Sequence, residues 1–157
     1  FATGMRVSEL SNLLKKNINI KKGVINIIGK GDKERIIQIC DINVKNALSD
    51  YHSLFKNDIL KNDYFFINKW NNTLSEQSVR FMIKKYSEKA NLKKHITPHV
   101  FRHSFATALL EENIDIRYIQ KILGHSSVVT TQIYTKVNSK QQKKILSTKH
   151  PRRHFNI

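Results

Sequence analysis

Residues 97–106 read "TPHVFRHSFA". Thr97 is a helix-capping residue, and Pro98 suits the first helical position, where a missing amide hydrogen costs nothing. The spacing predicts a helix with Phe101, Phe105 and Ala108 as its core stripe, while His99, Arg102 and Ala106 share a different face. A histidine and an arginine three positions apart have no place in an apolar core. The rest of the chain must therefore show what they face.

Upstream, "MRVSELSNLL" puts Val7, Leu10 and Leu14 on one helical face, with Arg6 and Glu9 three apart along its border. "GVINIIGKGDKERIIQI" predicts two strands around a turn, because β-branched runs flank Gly29, Gly31 and Asp32, with Lys30 at the tip. A helix is expected from about Val44 to Phe55, then the short apolar segment "YFFI". Another helix follows from about Glu76 to Ala90, started by Ser75 as cap. Downstream, "DIRYIQKILG" predicts a helix ended by Gly124, and "SSVVTTQIYTKV" restarts one from a serine cap. The last stretch is polar and basic, with Ile145 and Leu146 as an isolated apolar pair.

The 157 residues fit one ordinary domain, and an apolar content of 39% is enough for a core. Against 28 Lys and Arg stand only 12 Asp and Glu, a formal net charge of +16, so the surface carries a positive potential whatever the topology. An anionic membrane surface or a ribosomal partner would also suit that charge. Because the basic residues run through a patterned globular sequence, nucleic acid is the expected partner. The single cysteine, Cys40, closes an apolar run, as a buried thiol in a reducing compartment would, which points to the cytoplasm. No stretch approaches the roughly 18 apolar residues of a membrane span, so no membrane partner is expected. The chain opens in what reads as a helix entry without an initiator methionine, and is expected to be a piece of a longer protein.

Arg6, Lys30, His99, Arg102 and His125 all donate hydrogen bonds, and three are fixed cations with no carboxylate cluster to suggest a metal. Such a set suits a phosphodiester. Guanidiniums grip non-bridging oxygens and stabilise the charge that builds up in a pentacoordinate transition state, while histidines move protons near neutral pH. Tyr134 supplies a nucleophile whose phosphate ester would conserve the bond energy.

In that order and at those separations, "TGMRVSEL", "GKGDKER", "HVFRHSFAT" and "LGHSSVVTTQIY" resemble the catalytic domain of tyrosine recombinases, the phage-integrase family, and look closest to its Xer-type members. The resemblance runs from Thr3 to Val137. It implies an α+β fold, mainly α-helical, with a small antiparallel sheet or hairpin on one edge. It also implies a catalytic domain over residues 1–137, lacking an upstream core-binding domain, and a basic C-terminal tail over 138–157. Carried over position by position, Arg6 and Arg102 clamp the scissile phosphate, and Glu9 supports Arg6. Lys30 reaches the minor groove and protonates the leaving 5′ oxygen. His99 transfers a proton with the nucleophile, His125 donates to the phosphate, and Tyr134 forms the 3′-phosphotyrosine bond. Lys30, Lys33, Arg35 and His103 are expected DNA contacts. Double-stranded DNA and a homo- or hetero-tetramer on it are the implied partners, and neither metal nor other cofactor is required.

Blander readings attach to each motif alone. Arg6 with Glu9 is an ordinary surface ion pair, Gly-Lys-Gly a solvated turn, and Tyr134 a helix aromatic. His99 and His103 have the i, i+4 spacing of zinc ligands, but no metalloprotease glutamate or third ligand accompanies them. The tail reads either as a solvated basic arm or, by the resemblance, as a segment near Ser139 to Thr148 that docks its apolar pair on a neighbouring subunit. Two other functions share parts of the pattern. "DIRYIQKILGHSSVVTTQIY" has helix-turn-helix character, but a noncatalytic DNA-binding module leaves Arg6, Lys30 and His-x-x-Arg unexplained. A type IB topoisomerase shares the chemistry, but the short Xer-like spacing disfavours it.

Overall fold

The computed structural model describes residues 2–28, 34–124 and 139–151, with the side chains of 139–142 left aside. The elements are α1 (Val7–Ser11), a 3-10 turn (Lys15–Asn17), β1 (Ile18–Asn19), β2 (Val24–Ile28), β3 (Glu34–Gln38), α2 (Ile42–Leu54), α3 (Lys56–Leu60), α4 (Glu76–Lys89), α5 (Pro98–Glu111), α6 (Ile116–Leu123) and α7 (Ser139–Lys149). This is the expected mainly helical α+β architecture with one small antiparallel sheet, in the order β1-β2-β3.

The β2–β3 register pairs Val24 with Gln38 and Ile28 with Glu34. Alternation then turns Ile25, Ile27, Ile37 and Ile39 to one side, where Leu13 and Phe65 complete a buried cluster roofed by Val44, Leu48 and Tyr51 of α2. A second cluster joins Phe105 and Leu109 of α5, Ile114 of the following loop, Ile119, Ile122 and Leu123 of α6, and Leu146 of α7. The predicted caps Ser75 and Thr97 accept from backbone amides of α4 and α5, and Asp41 and Asp115 do the same for α2 and α6.

Four expectations need correction. The helix opening the chain stops at Ser11 and does not reach Leu14, because residues 13–15 pair as extended chain with the "YFFI" segment. Phe65 N donates to Leu13 O (2.7 Å) and Lys15 N to Asp63 O (2.9 Å), so Leu13 enters the core in place of Leu14. On α5 the buried stripe is Arg102, Phe105 and Leu109, while Phe101 is 38% exposed. The helix is rotated so that Arg102 points inward, where backbone carbonyls receive it. The two-stranded hairpin gains a third strand, the two-residue β1, on β2's free edge. The described tail is not a solvated arm. Its α7 is helical, and Leu146, only 2% exposed, is buried in this chain's own core with Ile145 against it. Lys149 Nζ donates to Glu112 O (2.8 Å), and the buried His150 ring lies 2.7 Å from Ala2 O and against Phe105. The predicted helix in "SSVVTTQIYTKV" lies outside the described residues.

Gly4 joins the two clusters. Its φ of +61° is left-handed, and a Cβ there would lie 2.5 Å from Phe105 Cδ1 and 2.7 Å from Leu123 Cδ2. Its neighbour Met5 packs on the sheet cluster. Only glycine passes this gap without strain. Gly4→Ala combines a left-handed alanine with overpacking of the second cluster, and is expected to lower unfolding stability by about 3 kcal/mol, read as a lower urea midpoint at unchanged m-value.

Candidate active site

The end of α6 organises the polar centre. Gly124 caps it in the left-handed conformation (φ 67°, ψ 49°), leaving the last carbonyls without helical partners. Three arginines from three elements take three of them in succession. Arg35 Nε of β3 donates to Ile122 O (3.3 Å), Arg102 Nη2 of α5 to Leu123 O (2.8 Å), and Arg6 Nη2, at the start of α1, to Gly124 O (3.0 Å). The negative end of the α6 dipole favours this gathering of cations.

Arg102 is 8% exposed, yet its fork is satisfied: Nη1 donates to Gly4 O at 2.7 Å, opposite the bond to Leu123 O. Burial, aided by the nearby charge of Arg6 and opposed by Glu9, pulls its pKa down to about 10, leaving it cationic at neutral pH. Arg6 remains more open, with 41% of its side chain exposed.

Glu9 is the carboxylate between the charges. Its Oε2 accepts from the Arg6 amide (2.7 Å) and Arg35 Nη2 (2.7 Å), and its Oε1 from Arg6 Nη1 (3.0 Å) and Arg35 Nη1 (2.8 Å). Both the amide and the guanidinium of Arg6 are thereby held on this one carboxylate. Arg35, expected to contact DNA, instead has its guanidinium directed inward. It lies opposite Ile27 in the register, on the face of Ile37, and its side chain is 13% exposed. That direction was readable from period-two alternation, since Arg35, Ile37 and Ile39 share parity.

Arg6 and Arg102 open onto one hollow of about 490 Å³, with Val7, Ser8, Thr97, Pro98, His99 and Arg80 around it. The predicted His99 thus joins both arginines, while His103 is exposed on α5 and does not line the hollow. Arg80 was not singled out from the sequence. There it reads as the partner of Glu76 one turn back (2.7 Å), and only the packing of α4 against α1 and α5 brings it here. Lys30, Lys33, His125 and Tyr134 lie outside the described residues. Among those described, no three His, Cys, Asp or Glu side chains gather as a metal site, and no helix is long and apolar enough to cross a membrane.

Burial alone would raise the Glu9 carboxyl, but hydrogen bonds from Arg35 and the Arg6 amide, with Arg35's charge, hold it below its ordinary value of 4.5. A depressed folded value means that the unfolded chain binds more protons just below pH 4.5. The stabilisation is therefore complete above that pH and fades as pH falls through the folded value. Glu9→Gln should lower stability at neutral pH, and its deficit against the parent should shrink as the pH falls well below 4.5, measured by urea unfolding at neutral and acidic pH.

The phage integrase family model matches residues 1–141. A tyrosine recombinase of Agathobacter rectalis is 53% identical over 157 residues, covering 100% of this chain and 51% of that protein. The solved XerA recombinase superposes with a TM-score of 0.75 at 39% identity, over 94% of this chain and 54% of XerA. XerH, a site-specific recombinase solved bound to its difH substrate before cleavage, gives a TM-score of 0.71 at 30% identity, over 93% and 43%. The chain spans about half the length of the curated relatives it matches. With the family model matching residues 1–141 and a tyrosine recombinase 53% identical over the whole chain, this chain belongs to the phage integrase family of tyrosine recombinases.

Proposed function

We propose that this chain is the catalytic portion of a site-specific DNA recombinase, which cuts and rejoins strands through a covalent 3′-phosphotyrosine. The observation that carries the reading is that Arg6 and Arg102, far apart in sequence, share one hollow with His99. Two guanidiniums on a phosphodiester offset the charge that grows on its non-bridging oxygens during attack, a role that pre-placed donors fill at little reorganisation cost. Arg102 is fixed by two carbonyls and Arg6 by Glu9 and Gly124 O, so both stand in place before substrate arrives.

In the proposed step the Tyr134 hydroxyl oxygen attacks phosphorus and loses its proton, with His99 in that transfer. The bond to the 5′ oxygen breaks, and that oxygen leaves as a hydroxyl with a proton from Lys30. His125 donates to a phosphate oxygen. Rejoining reverses the step with a 5′ hydroxyl as nucleophile and the tyrosine as leaving group. One phosphate ester replaces another, so neither ATP nor metal is needed. The roles of Lys30, His125 and Tyr134 rest on the sequence motifs that carry them. Double-stranded DNA is the proposed partner, which the net charge of +16 and the difH complex of XerH support, with a tetramer as the working assembly in the cytoplasm. A groove-reading, noncatalytic module gives no reason to bury Arg102 or to hold Arg6 on Glu9.

Denaturation-resistant adducts between the full-length protein and DNA fragments from its source would identify the cleavage site. A duplex nicked beside that site should then trap the adduct, and EDTA should leave the yield unchanged. Tyr134→Phe should abolish the adduct, and its persistence in that variant would overturn the assignment of the nucleophile. Arg102→Ala should slow cleavage by at least ~10²-fold, the effect typical of losing one pre-placed oxyanion donor, while changing DNA affinity only a few-fold.

A further inference from the structure

We infer that Arg35 is a positioning residue for strand cleavage, acting through Glu9 on Arg6 and directly on the end of α6; the inference rests on the cleavage reading above. Arg35 is built into the molecule, with 13% of its side chain exposed. Nη1 and Nη2 form a parallel fork on the Glu9 carboxylate at 2.8 and 2.7 Å, and Nε holds Ile122 O at 3.3 Å. The side chain also lies flat beneath Gly124, where a Cβ would come within 2.9 Å of Arg35 Cδ and Nη1. One guanidinium thus fixes both supports of Arg6: the carboxylate that takes its Nη1 and amide, and the Gly124 carbonyl that takes its Nη2.

The chemistry of the fork makes the assignment specific. Each Glu9 oxygen accepts one hydrogen bond from Arg35 and one from Arg6, so the carboxylate plane is set by the Arg35 fork and Arg6 is set by that plane. A lysine keeps the charge but offers a compact ammonium in place of two parallel N–H groups, and cannot fix the plane. A phosphate contact that uses only the charge would tolerate that exchange better. Misplacing a catalytic group by a fraction of an ångström lowers the rate without removing binding.

The test uses the full-length protein and the nicked duplex. Cleavage rate at saturating DNA, adduct amplitude and DNA affinity across salt concentrations are measured for the parent, Arg35→Lys, Arg35→Gln, Glu9→Gln and the double variant Glu9→Gln with Arg35→Gln. The expected result is a rate lower by roughly 10–100-fold in Arg35→Lys and Arg35→Gln, with affinity and its salt slope near the parent's. The double variant should be no slower than the slower single variant, because both act through one link. Three outcomes overturn the proposal. Rates within threefold of the parent in both Arg35 variants remove the role. Weakened affinity with a salt slope reduced by about one, at unchanged rate, makes Arg35 a phosphate contact. A fall in adduct amplitude with an unchanged rate constant makes its role purely structural. If Arg35→Lys does not fold, Arg35→Gln, with its shorter uncharged amide, decides alone. A parent protein that forms no adduct overturns the cleavage reading itself, a result separable from any of these.

Discussion

Three guanidiniums on the last three carbonyls of one short helix are the constraint around which this domain is arranged. Each carbonyl at the end of α6 would otherwise need water or a cap, and each arginine would otherwise need a carboxylate. Matching them satisfies both without neutralising the charge. Among the described residues only Glu9 offsets the three cations at close range, so the described cluster keeps a net positive charge while its members stay hydrogen-bonded. A buried charge is tolerated only when its hydrogen-bonding capacity is met, and carbonyl dipoles meet that of Arg102 while leaving its charge available to an anion.

This arrangement ties fold to function through backbone geometry. The carbonyls that hold Arg102 belong to Gly4 and Leu123, and Gly4 reaches that position only because nothing larger than hydrogen separates it from Phe105 and Leu123. The two apolar clusters therefore set the distance between Arg6 and Arg102, although neither cluster contains a reacting group. Gly124 is the second such point, pressed against Arg35, and its left-handed conformation ends α6 where the three carbonyls are exposed to the arginines. Packing volume in the core and electrostatics in the hollow are, in this domain, two consequences of the same close approaches.

How much of this was legible from residues alone follows the range of the forces involved. Caps at Ser75, Thr97 and Asp115 act within a few positions, so α4, α5 and α6 stand where they were expected. The hairpin strands announced themselves by β-branched alternation. The first helix was overdrawn because its apolar period continues through Leu14, whereas strand-like pairing to Tyr64 and Phe65, a long-range term, stops it at Ser11. The phase of α5 was misjudged for a related reason. Hydrophobicity favours Phe101 over Arg102, and only carbonyls contributed from Gly4 and Leu123 reverse that preference. Arg80 was invisible because its local partner, Glu76, gives it a complete explanation within one helix turn. The burial of Leu146 likewise depends on a cluster whose members come from α5 and α6.

Charge in this protein works at two ranges, and they should not be merged. The formal excess of +16 acts at long range, through fields screened beyond about 10 Å in ordinary salt, which would draw in the proposed DNA partner without choosing where it reacts. Arg102 belongs to the other class. It is withdrawn from solvent, so water competes poorly for it, and its two backbone bonds leave it little freedom to lose when a phosphate arrives. In the proposed cleavage, those properties would contribute modestly to affinity and strongly to stabilising charge that appears only during reaction. The same division explains why one strand of the hairpin carries an arginine turned inward beside apolar neighbours. A cation meant only to attract DNA belongs on the opposite parity of β3, in water, and Arg35 is not there.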